Sequence, residues 1–217
     1  MSSHHRMKRF NVLSENRSFG TVVFEWLMER KRPLITVLLL VVLSFGTISF
    51  LSSKKSKMEK RSFAAYSAVN VSDSVALKSF VETYHNTTAG RLATLALAKL
   101  SFDNGNYDEV EKLLAPMIGS GRQSPELGRI LAMEMLAKAH EARGNFEKAE
   151  KLYSKLSSIK SNPFKEEHRL ALATTLEKSG KVDEAKKIYE AMSAPTYESA
   201  ELRSKANERL IQLAAAH

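Results

Sequence analysis

Three segments decide the fold: Gly105-Asn106-Tyr107-Asp108-Glu109-Val110, Gly144-Asn145-Phe146-Glu147-Lys148-Ala149 and Gly180-Lys181-Val182-Asp183-Glu184-Ala185. Each opens on Gly, carries an apolar residue two positions on and an acid next, and places a small or β-branched apolar residue five positions after the Gly. The glycines are 39 and 36 residues apart, a period expected of stacked helical hairpins. Recurrence extends on both sides. Leu97-Ala98, Leu136-Ala137 and Leu172-Ala173 stand eight and seven residues before each Gly, and Leu114, Tyr153 and Tyr189 stand nine after.

Each recurrent position has a physical reason. Gly closes the first helix in the left-handed region, where a Cβ would clash. Ala lets the second helix approach closely, and Leu and the aromatic fill the layer between them. Asp108, Glu147 and Asp183 fall in the first turn of the second helix, where the helix dipole favours negative charge. In this register the chain resembles the tetratricopeptide repeat. The resemblance implies an all-α, right-handed solenoid of helical hairpins, with repeats at about 90–119, 124–159 and 164–193. Departures are Val110 where Ala is usual, and Pro116, Pro163 and Pro195 placed differently from the usual closing Pro. A further hairpin is expected over 57–85, as helices 57–70 and 73–85, and a capping helix over 198–215 through Ala200, Ala206, Leu210 and Leu213.

Upstream of the repeats, Pro33 to Ser53 (PLITVLLLVVLSFGTISFLSS) contains no charged residue. At the helical rise, 21 residues reach about 31 Å, the thickness of a bilayer hydrocarbon core. A cleaved signal peptide would have a shorter apolar region and a small-x-small site, whereas this run ends Ile48-Ser49-Phe50-Leu51. The expectation is an uncleaved transmembrane signal anchor over 33–53, a basic tail over 1–32 and a folded domain over 54–217. Phe24 and Trp26 suit an interfacial anchor. Basic residues flank both ends of the run, so charge leaves its orientation open.

The net charge of +9 sits beside that run. Residues 1–32 hold seven Lys/Arg against three acids, and 54–61 hold five against one. From Ser62 onward, 21 basic residues face 20 acidic ones. A nucleic-acid-binding domain would carry its surplus on the fold, so nucleic acid is not expected as a partner. The absence of Cys excludes disulfides and thiolate metal sites.

No catalytic, cofactor or metal-binding pattern emerges. No pair among His4, His5, His85, His140, His168 and His217 has zinc-ligand spacing. Glu166-Glu167-His168 reads as a solvated face, because adjacent helical residues point in different directions. His140 reads as packing or surface. Gly119-Ser120-Gly121-Arg122 reads as an inter-repeat turn without phosphate-loop or hydrolase chemistry. The expected function is protein binding through the first helix of each repeat. Equivalent inward positions there are Lys99, Lys138 and Thr174, accompanied by Leu95, Glu134 and Leu170.

A closer resemblance is carried by the basic-flanked span, the linking helix and FVETYHNTTAGRLATLALAKLSFDNGNYDEVEKLLAPM, in particular Phe80-x-x-x-Tyr84, Thr88-Ala89-Gly90-Arg91-Leu92-Ala93 and Leu95-x-Leu97-Ala98-Lys99. These are similar to the bacterial YfgM family, ancillary subunits of the SecYEG translocon with a tetratricopeptide-like periplasmic domain. The resemblance implies a single-pass inner-membrane protein with its N-terminus in the cytoplasm and its repeats in the periplasm. It implies as partners the translocon subunits, periplasmic chaperones or exported clients, and no cofactor. The long basic tail departs from the shorter, more acidic tail of the family. A scaffold for envelope assembly or division is the other reading open at this point, and an oligomeric state does not follow from the residues.

Overall fold

The computed structural model describes residues 31–119 and 126–215; side chains at 31–39, 41, 42 and 48 lie outside the described residues. The basic tail up to residue 30 and the predicted turn at Ser120, Gly121 and Arg122 also lie outside them. Every described element is a helix or a turn. The chain divides into two compact units, one ending at Ser56 and one beginning at Lys57.

Helix α1 spans Lys31–Tyr66 and holds the whole apolar run. Pro33 lies in its first turn, where the missing N–H has no intrahelical partner to lose. In the first unit Leu40, Leu43, Phe45, Phe50 and Leu51 are each at least 60% exposed. Among the described residues no helix is long and apolar enough to cross a membrane, although much of the predicted span has side chains outside that set. The separate helix expected over 57–70 is corrected: these residues are helical only to Tyr66, in a helix that began at Lys31. Nothing between the span and Lys57 breaks a helix, since Lys54-Lys55-Ser56 has no Pro and no Gly.

The second unit is a succession of antiparallel helices. These are α2 (Ser74–Tyr84), α3 (Thr88–Asp103), α4 (Tyr107–Gly119), α5 (Glu126–Ala142), α6 (Phe146–Ser158), α7 (Lys165–Lys178), α8 (Val182–Ser193) and α9 (Ala200–Ala215). Asp73 caps α2 by accepting from the Val75 and Ala76 amides, and Thr87 caps α3 by accepting from Gly90. The Thr88 amide, another orphan donor of the first turn of α3, is taken up by both Glu59 carboxylate oxygens, at 3.0 and 3.2 Å. Glu59 is the lone acid of the basic stretch 54–61, and this contact gives it a structural role. Tyr66, Phe80 and Tyr84 pack in sequence with tilted rings, their centroids 5.6 and 4.7 Å apart, and fasten the start of the array.

Three hairpins follow, α3–α4, α5–α6 and α7–α8, and their turns are closed identically. Gly105, Gly144 and Gly180 have φ of 74°, 75° and 84°. Their amides reach Phe102, Glu141 and Glu177 carbonyls, while the next amides, of Asn106, Asn145 and Lys181, reach back to Ser101, His140 and Leu176 at 2.8–2.9 Å. This pair of bonds is the Schellman closure, and it satisfies two carbonyls that the ending helix leaves loose.

Packing repeats with the turns. Ala98, Ala137 and Ala173 are fully buried, as are Val110, Ala149 and Ala185. Leu114, Tyr153 and Tyr189 fill the interhelical layer, and Met117, Leu156 and Met192, twelve residues after each Gly, close its far end. Helix α9 seals the array with Leu202 and Ala206, one turn apart; Ala200, expected on that face, is exposed and Leu202 stands in its place.

Two sets of polar contacts join one hairpin to the next. Glu141 accepts from Tyr153 within its own hairpin (3.0 Å) and from Thr175 of the next (2.9 Å). Glu177 repeats the arrangement with Tyr189 (3.0 Å) and Arg209 of α9 (2.7 Å). Glu111 and Glu150, each six residues after a turn Gly, take cations from the following turn: Arg143 and Lys148 meet Glu111, and Lys181 meets Glu150. The Glu111 pairs lie at the surface and contribute little each.

The turn geometry predicts a graded response to adding one methyl group. Gly144→Ala meets no neighbouring atom, so its cost is the left-handed backbone alone, about 1–2 kcal/mol. At Gly90 a Cβ would overlap the Tyr84 carbonyl, which the Thr87 amide and hydroxyl hold in place at 2.9 and 2.8 Å. Urea unfolding of the full chain, followed by circular dichroism, is expected to place Gly90→Ala below Gly144→Ala and both below wild type.

Candidate functional site

The first helices α3, α5 and α7 lie side by side, and their exposed face gathers some of the predicted partner-binding residues and not others. Lys99, Glu134 and Lys138 come together with Phe102, Leu131 and Met135 around a hollow of about 330 Å³ between α3 and α5. Leu131, Glu134 and Lys138 also border a second hollow of about 330 Å³ toward α7, whose other walls include Phe164, Glu167, His168 and Ala171. Leu131 thus stands on the ridge between two apolar depressions.

Leu95 and Leu170 are drawn partly into the core, Leu95 against the α3–α4 layer and Leu170 against the α7–α8 layer. The Thr174 hydroxyl donates to the Leu170 carbonyl at 3.1 Å and lies 3.2 Å from the Tyr189 hydroxyl, whose proton goes to Glu177, which makes it a hairpin contact. Its register matches that of Lys99 and Lys138, but a short side chain at that position reaches inward. The three turn glycines lie at the ends of α3, α5 and α7, away from this face along the helices.

Charge on the first-helix face is internally matched. Lys99 pairs with Asp103 one turn on, Lys138 pairs with Glu134 at 2.6 Å, and Lys178 reaches Glu141 at 3.5 Å. The hollow between α3 and α5 is therefore rimmed by neutralised pairs, and suits an apolar side chain on a partner better than a strongly charged segment.

His168 corrects the reading of Glu166-Glu167-His168 as a solvated face. The imidazole is 3% exposed. The Asn162 amide donates to its Nδ1 at 2.8 Å, and Nε2 faces Glu134 at 3.4 Å. Asn162 itself is fixed by donating to the Leu156 carbonyl and accepting from the Phe164 amide, so its NH₂ must face the ring. Nδ1 is consequently the acceptor and Nε2–H the donor to Glu134. The ring also stacks near Tyr153, with centroids 6.3 Å apart. Asn162 belongs to the connection between the second and third hairpins, Leu156 and His168 to the helices on either side of it, and Glu134 to the hollow. The polar cluster thus braces the first-helix face from below. No sequence pattern marks it, because Glu134 lies a whole repeat away from His168.

His140 is also buried, and desolvation holds its pKa below the ordinary imidazole value. Among the described residues no group of three or more His, Asp and Glu is placed to hold a metal ion.

The hydrogen bond from His168, aided by Lys138, holds the Glu134 carboxyl at about 2, against an ordinary value near 4.5. A depressed folded-state pKa contributes stability that is present above the unfolded value and is lost as pH falls through the folded one. The stability difference between wild type and Glu134→Gln is therefore expected to be largest above pH 4.5 and to shrink toward pH 2. Urea midpoints of both proteins across that interval provide the check, and a pH-independent difference would remove Glu134 as the titrating group.

A family model described as a tetratricopeptide repeat-like domain matches residues 25–214. Two solved structures are similar, both of nearly identical TPR-like repeats from Podosopora anserina provisionally named kinesin light chain, one of them a point variant. Each has a TM-score of 0.48 and 18% identity, and covers 75% of this chain and 94% of its own. No curated protein matches the chain. With the matched region embracing every described hairpin, the chain belongs to the tetratricopeptide repeat-like domain family.

Proposed function

We propose that this protein is a membrane-anchored adaptor that binds other proteins through the first-helix face of its repeats and assists secretion or folding of exported proteins as an ancillary translocon subunit. The observation that carries the anchoring is the uncharged run 33–53 within α1, whose described large apolar side chains are exposed. Exposed apolar residues at that density are costly in water and favourable in lipid. We place the N-terminus in the cytoplasm and the repeats in the periplasm, following the resemblance to the YfgM family.

Two features of the repeats support the binding role. The tetratricopeptide-like array is a scaffold architecture, in which successive first helices build an extended surface. Its face offers apolar hollows at Leu131, Phe102 and Met135, with the adjoining charges already satisfied. Anchoring then raises the local concentration of a weak binder next to membrane-embedded partners, so modest affinity suffices.

Two measurements test the proposal in a bacterial cell. A C-terminal phosphatase fusion, active only outside the cytoplasm, is expected to be active; activity of a reporter that works only in the cytoplasm would remove the periplasmic placement. A photo-crosslinking residue at position 131 is expected to capture translocon subunits or periplasmic folding factors, and Leu131→Asp to reduce co-purification of the same proteins at least tenfold. Capture of division or outer-membrane assembly factors without translocon subunits would transfer the chain to envelope scaffolding.

A further inference from the structure

The opposite side of the array carries a second groove with a different electrostatic character. It lies between the second helices α6 and α8 and has a volume of about 830 Å³. Leu172, Leu176 and Ile188 form an apolar floor. Lys151 and Lys155 stand on one rim and Lys187 on the other.

These three lysines differ from those of the first-helix face. All are exposed, and among the described residues none forms an ion pair, whereas Lys99 and Lys138 are each paired with an acid on their own helix. Of the two acids that border the groove, Glu150 is already occupied by the Ser179 hydroxyl at 2.7 Å and Lys181 at 2.6 Å. Glu184, on the α8 rim, leaves the groove with a positive surplus. Lys151 and Lys155 are also one helical turn apart, an arrangement of like charges that weakens a helix slightly. The fold gains nothing from it.

We propose that this groove is a second docking site, which takes an acidic amphipathic helical segment of a partner protein. An apolar ridge of the segment lies on Leu172, Leu176 and Ile188, and carboxylates on its two flanks meet Lys151 and Lys155 on one side and Lys187 on the other. An apolar floor with lysines on both rims matches a helix about 10 Å wide that carries acids on either side of its ridge. The first-helix face, with its paired charges, is free to hold another partner at the same time. The inference rests on the protein-binding reading and is independent of membrane anchoring.

The test uses the full chain in mild non-ionic detergent, with detergent alone as blank, and two labelled helical peptides of identical Leu ridge, one flanked by Glu and one by Lys. Fluorescence anisotropy is expected to show binding of the Glu peptide only, weakened by salt and at least tenfold weaker in the triple variant Lys151→Glu, Lys155→Glu, Lys187→Glu. The milder Lys→Gln triple variant, with unchanged circular dichroism, is expected to fall between. Equal binding of both peptides, or Glu-peptide binding indifferent to the triple variant, would overturn the proposal. Retention on phosphatidylglycerol-coated beads, lost in the triple variant and accompanied by no peptide binding, would also overturn it and reassign the groove to a lipid surface. If the peptides fail while crosslinking at position 131 succeeds, the second site falls and the adaptor reading stands.

Discussion

A left-handed backbone at three glycines is the constraint from which the rest of the array follows. Each helix of the first kind ends by returning two hydrogen bonds across its Gly, and the chain reverses within a few residues. Only then can the second helix lie antiparallel on the first at the close distance that Ala98, Ala137 and Ala173 allow. Any other L residue would strain that backbone. Burial of Leu114, Tyr153 and Tyr189 depends on the same reversal, because their side chains meet the first helix only if the turn is tight.

The next level is the coupling of hairpin to hairpin. Where the last two hairpins place a Glu three residues before the Gly, the first places Phe102, and where they place a Tyr nine residues after it, the first places Leu114. The pair changes together from apolar to hydrogen-bonded. In the polar version the second carboxylate oxygen is free to reach onward, to Thr175 or Arg209, so one side chain holds its own hairpin and the following element. Charged-group hydrogen bonds of this partly buried kind are stronger than neutral ones. The array is therefore cross-linked most heavily toward its C-terminal end, and the hollow between α3 and α5 sits where the apolar and polar styles meet.

The hairpins were legible because their determinants are local and repeated: the Gly, the acid, the small residue and the aromatic all recur in register. Met117, Leu156 and Met192 recur in the same register and were readable by extending the comparison three residues further. The candidate site was legible only in part. Lys99, Glu134 and Lys138 share a hollow, yet the inward contact of Thr174 depends on Tyr189, and the burial of His168 depends on Asn162 and Glu134. Such contacts join residues whose separation no periodicity specifies. The role of Glu59 at the start of α3 was hidden for the same reason, 29 positions from the amide it satisfies. The helix start expected at residue 57 was missed differently, because continuity of a helix leaves no mark when both sides favour helix.

Amide hydrogen exchange at Asn106, Asn145 and Lys181 tests the central claim most directly, since their N–H groups bridge each glycine turn to Ser101, His140 and Leu176. The account predicts that all three are protected to nearly the degree of the buried helical amide of Ala137, and lose protection together with the array. Exchange of these three amides at the rate of an open loop, while Ala137 stays protected, would contradict it.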